Sequence, residues 1–226
     1  MGYTTIFLDM DRTIFDFDAA EKDSFFRAYE DHIAPCNEEI YKKYQKINSF
    51  YWKEFEKGTV DIKNLKKMRF DDLFNELGIS FSGEKFNDYY IGNLSCSPQL
   101  YDGAKELCQY LKSKYKVIIL TNGIAKNQKN RLKLSGIDTL SDGVVISEEV
   151  GVAKPHEKIF QAAMDLSGEK EKKNIIMIGD DLSADIKGAW DFGIDTLWTN
   201  YKKVQKPDAI NPTFEVYEIH KIKEIL

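Results

Sequence analysis

The chain has 226 residues, 42% of them hydrophobic and 31% charged, with a formal net charge of −5. That length suits one domain, or one domain carrying a substantial insertion, and the apolar content suits a folded globular protein rather than a disordered one. No apolar run approaches the roughly 18 residues that a membrane span needs, and the acidic balance lacks the basic footprint of a nucleic-acid binder.

The first residues, Met1 to Asp9, show no basic stretch followed by a signal-length apolar segment, so secretion is not expected. Cys36, Cys96 and Cys108 are odd in number and have no Cys-x-x-Cys spacing. Reduced thiols in the cytoplasm are therefore expected, rather than a disulfide framework or a zinc knuckle. His32, His156 and His220 are too scattered for a local zinc motif.

In chain order, the first apolar run covers residues 5–8. Residues 17–96 then show no strong strand pattern. Phe70, Leu73, Phe74 and Leu77 follow i, i+3, i+4, i+7 spacing, with Gly78 as a stop, and Tyr41, Tyr44 and Ile47 begin another such stripe. This stretch also holds more than half of the chain's aromatic residues, as a small helical core needing large side chains would. It is read as an inserted α-helical domain.

Helical patterns follow at 102–112, 126–134, 157–166 and 183–192, the last stopping before Gly193. Between them lie apolar runs at 117–120, 144–146, 175–178 and 194–198. Most of these runs are continuous rather than alternating, which suits strands covered on both faces. The expected fold is α/β: a doubly wound parallel sheet, Rossmann-like, formed by residues 1–16 and 97–226, with a helical insertion at 17–96. The lysines from Lys170 to Lys173, interrupted by Glu171, read as a solvated face.

In open α/β sheets, ligands sit beyond the carboxyl ends of the strands. The first run ends in Asp9-Met10-Asp11-Arg12-Thr13, the second in Thr121-Asn122-Gly123 and the fourth in Gly179-Asp180-Asp181, with Asp185 four residues further on. Lys154-Pro155 precedes another helix. Each piece alone is ordinary turn or cap chemistry. Together they bring acids, a hydroxyl and a lysine to one sheet edge.

Clustered carboxylates repel unless a cation or a shared proton relieves them. An oxygen-only donor set suits Mg²⁺, which takes one or two carboxylates with phosphate and water. The lysine and hydroxyl suit a phosphate's remaining oxygens. One carboxylate could attack phosphorus and form an aspartyl phosphate. A second, two residues along, could protonate the leaving oxygen and later deprotonate water. No Gly-Lys-Ser/Thr or Gly-x-Gly-x-x-Gly fingerprint supports an NTPase or dinucleotide enzyme.

These motifs, in this order, resemble those of the haloacid dehalogenase superfamily of phosphohydrolases. The resemblance implies Asp9 as nucleophile and Asp11 as general acid/base. It implies Thr121, with the Asn122 and Gly123 region, and Lys154 as phosphate-binding. It implies a magnesium site from the Asp9 carboxylate, the Asp11 carbonyl, Asp180 and Asp185, the last acting through water or Lys154. Asp181 has no assigned part. The superfamily's dehalogenases lack the second aspartate, so Asp11 points to a phosphatase or mutase, and the helical insertion resembles the cap of the phosphoglycolate phosphatase and β-phosphoglucomutase subgroup.

Ile14 to Glu21, Asn48 with Trp52, Arg69-Phe70, Ser147 to Gly151 and Trp198-Thr199-Asn200 are similar to the pyrimidine 5′-nucleotidase branch. That implies a small phosphomonoester substrate, no nucleic-acid polymer and no membrane. Trp52 would stack on a base and Arg69 would meet its polar edge. Arg12 departs from the family's small or polar residue; it either touches the leaving group or pairs with an acid of the insertion. Sugar-phosphate phosphatases, phosphomutases and phospho-acceptor signalling proteins remain alternatives. A monomer is expected.

Overall fold

The computed structural model describes residues 2–226. The chain divides into two compact units, Met1–Phe17 with Pro98–Leu226, and Asp18–Ser97.

The first unit is built on a six-stranded parallel sheet. Its strands are β1 (Thr5–Leu8), β2 (Lys116–Thr121), β3 (Gly143–Ile146), β4 (Ile175–Gly179), β5 (Asp195–Thr199) and β6 (Phe214–Val216), in the order β3-β2-β1-β4-β5-β6. The continuous apolar runs follow from burial on both faces. Ile6, Leu8, Val117, Ile119, Ile176 and Ile178 pack on one side with Leu107, Leu111 and Leu132. Phe7, Ile118, Leu120 and Met177 pack on the other with Phe160, Ala163 and Phe192. Each expected run is a strand. The edge strand β6 carries no apolar run long enough to announce itself.

β1 pairs with β2 on one side and β4 on the other, with Leu8 opposite both Ile119 and Ile178. The carboxyl ends of β1, β2 and β4 therefore lie side by side. Strand order runs from β1 outward to β2 and β3 on one side and then returns to β4 on the other, the switch point where open α/β sheets bind ligands.

The second unit holds α1 (Phe17–His32) from its second residue on, α2 (Glu38–Glu56), α3 (Ile62–Leu77) and α4 (Gly83–Ser95). Asn37, Asp61 and Ser82 cap α2, α3 and α4 by accepting from the backbone N–H three residues on, which satisfies an orphan donor at each start. Gly78 ends α3 with φ of 68°, a conformation glycine adopts without a Cβ penalty. The core is aromatic: Tyr44 stacks on Phe70 with centroids 5.5 Å apart and on Phe25 at 4.3 Å. Beyond Tyr44 the buried positions on α2 are Asn48, Tyr51 and Phe55, while Ile47 is half-buried. The stripe therefore continues, with a polar group taken in at Asn48.

The remaining helices of the first unit are α5 (Ala104–Lys114), α6 (Ala125–Ser135), α7 (Ser147–Val150), α8 (Glu157–Ser167), α9 (Gly188–Phe192) and α10 (Ile222–Ile225). Among the described residues, no helix is long and apolar enough to cross a membrane.

Candidate active site

Asp9 follows β1 directly, its backbone N–H donating to Ile178 O at 2.9 Å and so continuing the sheet's bonding pattern. The residue is 5% exposed. Lys154 Nζ donates to Asp9 Oδ1 at 2.6 Å, and Thr13 Oγ1 donates to Asp9 Oδ2 at 2.9 Å. Lys154 also donates to Leu120 O at 2.8 Å and lies 2.6 Å from Asp185 Oδ1. One buried ammonium therefore serves two buried carboxylates.

Asp180 follows the last residue of β4. Trp198 Nε1 donates to its carbonyl at 2.8 Å, giving a structural task to the late tryptophan. Asp181 caps the following turn, accepting from the N–H groups of Ser183 and Ala184 at 2.8 Å each. That turn is a π-helix, Leu182–Lys187, a wide winding frequent at functional sites. It places Asp185 against the strand end, where the Asp181 N–H donates to Asp185 Oδ2 at 3.0 Å. Gly179 permits this approach, because a Cβ there would stand 2.4 Å from Asp185 Cγ.

One carboxylate oxygen from each of Asp9, Asp180 and Asp185 falls within 4.8 Å of the other two. The electrostatics register the crowding. Burial raises the Asp9 pKa, with Lys154 opposing and Asp11 adding to the rise. Burial and the negative charges of Asp9 and Asp185 hold Asp180 well above the usual range, against the opposing pull of Arg12. Burial pushes Asp185 up to about 7, with Lys154 again opposing. Burial works against the Lys154 ammonium too, yet Asp185 and Asp9 outweigh it and raise its pKa. A single cation does not compensate three acids, and an all-oxygen set at this spacing fits a hard divalent ion.

Asp11 is brought to the same end of the sheet, where two side chains of α6 engage its carboxylate. Arg131 Nη1 donates to Asp11 Oδ1 at 2.6 Å and Gln128 Nε2 donates to Asp11 Oδ2 at 2.9 Å. The Asp11 carboxylate is thus engaged by α6, and the group of acids that could hold a metal is Asp9, Asp180 and Asp185. Arg12 adopts φ of 64° and lays its guanidinium over Phe17, 4.8 Å from the ring centroid. It is also near enough to Asp180 to lower that group's pKa, a placement the alternatives for Arg12 did not include.

The Thr121-Asn122-Gly123 segment is anchored from within the fold. Thr121 Oγ1 accepts from Gln128 Nε2 at 2.8 Å. The Asn122 side-chain amide is bound on both atoms to the Lys154 backbone: Nδ2 donates to Lys154 O at 3.0 Å and Oδ1 accepts from Lys154 N at 2.8 Å. The Gly123 N–H donates to Ser147 Oγ at 3.0 Å. Asn122 and Gly123 therefore hold the lysine and the loop in place. The Ser147 to Gly151 segment braces the same loop, with Glu148 Oε2 accepting from Ala125 N–H at 2.7 Å at the start of α6.

The two residues expected to meet substrate both lie in the helical unit. Trp52 is half-buried and packs edge-on against Phe55 at 5.8 Å. Arg69 differs from expectation. It is 2% exposed, with Nη1 donating to Asn48 Oδ1 and Nη2 to Asn87 Oδ1, each at 2.8 Å. Asn48 continues to the buried Glu21, donating to Oε1 at 2.9 Å. This chain of polar groups belongs to the interior of the helical unit, and the Arg69 fork is spent on it.

Gln128 and Arg131 were not singled out by sequence pattern. Their signal was available: two polar residues three apart on the face of a helix that must cover the sheet.

This fold and site define a hydrolase built on an aspartate at a strand end. A family model for haloacid dehalogenase-like hydrolases matches residues 3–193. The chain is 32% identical to pyrimidine 5′-nucleotidase YjjG of Escherichia coli, covering 100% of this chain and 99% of that one. It is 33% identical to pyrimidine 5′-nucleotidase PynA of Streptococcus pneumoniae, covering 100% and 96%. A crystal structure of the putative HAD-hydrolase YfnB of Bacillus subtilis bound to magnesium superposes with a TM-score of 0.93 at 31% identity, covering 100% of this chain and 99% of that one. The chain belongs to the haloacid dehalogenase-like hydrolases, and within them it is an enzyme of the phosphatase kind.

Proposed function

We propose that the protein is a Mg²⁺-dependent phosphomonoesterase that works through an aspartyl phosphate on Asp9 and acts on pyrimidine nucleoside monophosphates. The observation that carries the chemistry is the Asp9 carboxylate, bound by Lys154 and Thr13 and grouped with Asp180 and Asp185.

Asp9, Asp180, Asp185 and the Asp11 carbonyl would hold the ion, whose charge offsets the repulsion between the carboxylates and a phosphate dianion. Lys154 holds one Asp9 oxygen and Thr13 the other, which restricts the nucleophile's rotation. Asp9 then attacks phosphorus in line. Asp11 gives a proton to the departing oxygen, because an unprotonated alkoxide leaves poorly. Asp11 next takes a proton from water as that water attacks the phosphoryl group and frees Asp9. Thr121 and Lys154 meet the phosphoryl oxygens by positioning and charge. Asn122 supports this indirectly, through its two bonds to the Lys154 backbone.

The substrate class is supported by full-length similarity to the two nucleotidases. In this reading the helical unit serves as the cap that selects the leaving group, and Trp52 stacks on the base. Arg69 has no direct part in it, being engaged by Asn48 and Asn87.

The test is phosphate release from UMP, dUMP, dTMP, purine monophosphates, phosphoglycolate and hexose phosphates, with Mg²⁺ or EDTA. Preferential, Mg²⁺-dependent release from pyrimidine monophosphates is expected. Preference for sugar phosphates would keep the chemistry and overturn the substrate assignment. Trp52→Ala should change the relative kcat/KM among nucleotides; unchanged ratios would remove Trp52 from recognition.

A further inference from the structure

Helix α6 presents Gln128 and Arg131 on its buried face, 1% and 0% exposed. Gln128 Nε2 makes two donations, to Thr121 Oγ1 at 2.8 Å and to Asp11 Oδ2 at 2.9 Å. Arg131 Nη1 donates to Asp11 Oδ1 at 2.6 Å and to Gln128 Oε1 at 3.2 Å. The guanidinium lies over the Phe15 ring, 4.7 Å from its centroid, and 5.6 Å from that of Phe17. The room for Gln128 comes from Gly123, where a Cβ would stand 2.8 Å from Gln128 Cγ and Nε2.

We propose that Gln128 and Arg131 are positioning residues for the reaction, holding the Asp11 carboxyl in one orientation and tying it to the Thr121 hydroxyl. The proposal rests on the phosphatase reading above. A fully buried guanidinium is costly unless paired, and here its pairing falls on the group assigned to proton transfer. The flat fork and the two rings fix its direction, which a flexible ammonium would not. Each Asp11 oxygen accepts one of these bonds and keeps a second lone pair, so the hold does not use up the carboxyl's acceptor sites. Thr121 Oγ1 accepts from Gln128 and donates its own hydrogen to Asn122 O at 3.4 Å, a long bond that a phosphoryl oxygen can replace. Gln128 thus sets the phosphate-binding hydroxyl and the acid/base group relative to each other.

The proton bookkeeping supplies a readout. As the Asp9–phosphorus bond forms and the ester bond breaks, the Asp11 acid gives its proton to the leaving oxygen. The resulting carboxylate recovers a proton from the water that attacks phosphorus. Only the first transfer lies within kcat/KM, which covers events up to release of the leaving group. An alcohol needs that proton, whereas 4-nitrophenolate leaves well without it. Misplacing Asp11 should therefore penalise an alkyl phosphate and spare 4-nitrophenyl phosphate.

The experiment measures kcat/KM with Mg²⁺ for the best alkyl phosphate of the panel and for 4-nitrophenyl phosphate. It compares wild type, Asp11→Asn, Gln128→Met, Arg131→Met and Arg131→Lys, with thermal midpoints recorded alongside. General acid catalysis is worth about 10²–10⁴-fold, so Arg131→Met and Gln128→Met should each lose about 10–100-fold on the alkyl ester and under about 3-fold on 4-nitrophenyl phosphate. That is the Asp11→Asn pattern in weaker form, and Arg131→Lys should recover part of it. Equal losses on both substrates would overturn the proposal and assign the pair to packing or direct phosphate binding. An unchanged alkyl-ester rate would overturn it as well. Should Arg131→Met fail to fold, Gln128→Met and Arg131→Lys carry the same comparison. A wild type with no Mg²⁺-dependent release would sink the phosphatase reading and this proposal with it, whereas an active wild type with uniform losses sinks this proposal alone.

Discussion

Replacing Lys154 by methionine removes the one ammonium that lies 2.6 Å from both Asp9 and Asp185 and leaves two buried carboxylates facing each other. Breaking a buried ion pair by deleting one partner typically costs about 3–5 kcal/mol. An independent bound comes from protonation. A stranded aspartate can escape by taking up a proton, and from an ordinary pKa of 3.8 that costs about 4 kcal/mol at pH 7, at 1.36 kcal/mol per unit. Near pH 5 the same escape costs only about 1.6 kcal/mol. In EDTA, urea titrations should therefore show Lys154→Met destabilised by about 4 kcal/mol at pH 7 and by less than half of that near pH 5. Adding Asp185→Asn should return part of the loss, because one stranded charge disappears. A penalty under about 1 kcal/mol at pH 7, or one independent of pH, would refute the view that Lys154 offsets the carboxylates.

Gly179→Ala forces a Cβ to within 2.4 Å of Asp185 Cγ, so it should cost about 1–3 kcal/mol of stability and lower Mg²⁺-dependent activity; an unaffected rate would show that Asp185 need not sit against the strand. Asp185 has a raised pKa of about 7, and Asp9 and Asp180 are also raised. The metal-free folded protein thus holds more protons than the unfolded chain above pH 3.8 and loses stability as pH rises towards 7. Mg²⁺ should accordingly raise the thermal midpoint more at about pH 7.5 than at about pH 5, and an equal shift would contradict the assigned ligands. Arg69→Met strands Asn48 Oδ1 and Asn87 Oδ1, each costing about 1–3 kcal/mol. Thermal denaturation should show the loss, and an unchanged midpoint would refute a structural role for Arg69.

Strands β1, β2 and β4 were legible because burial on both faces writes a largely apolar run, and the polar residues at their ends then located the acids and the hydroxyl. What stayed hidden was polar burial. Hydrophobic periodicity does not see Asn48, Gln128 or Arg131, whose burial is made tolerable by partners far away in sequence. The same blindness put Arg69 at a substrate edge. Its residue type suited a ligand, while the folded chain supplies the partners itself, Asn48 and Asn87. The Asn122 side chain is likewise partnered within the fold, by the Lys154 backbone. Asp181 resolves in the same way, its carboxylate being occupied by two N–H groups of the π-turn. β6 was invisible because Phe214-Glu215-Val216 is too short to show a period.

The most direct test of the account is a rapid-mixing experiment with 4-nitrophenyl phosphate and Mg²⁺ on Asp11→Asn. Because this leaving group needs no proton, Asp9 should still be phosphorylated, while the water step, deprived of its base, stalls. The account predicts a burst of about one 4-nitrophenolate per active site and a matching amount of protein-bound, hydroxylamine-labile phosphate, with neither in Asp9→Asn. Turnover without bound phosphate at any time, or labelling that survives in Asp9→Asn, would contradict the assignment of Asp9 as the nucleophile.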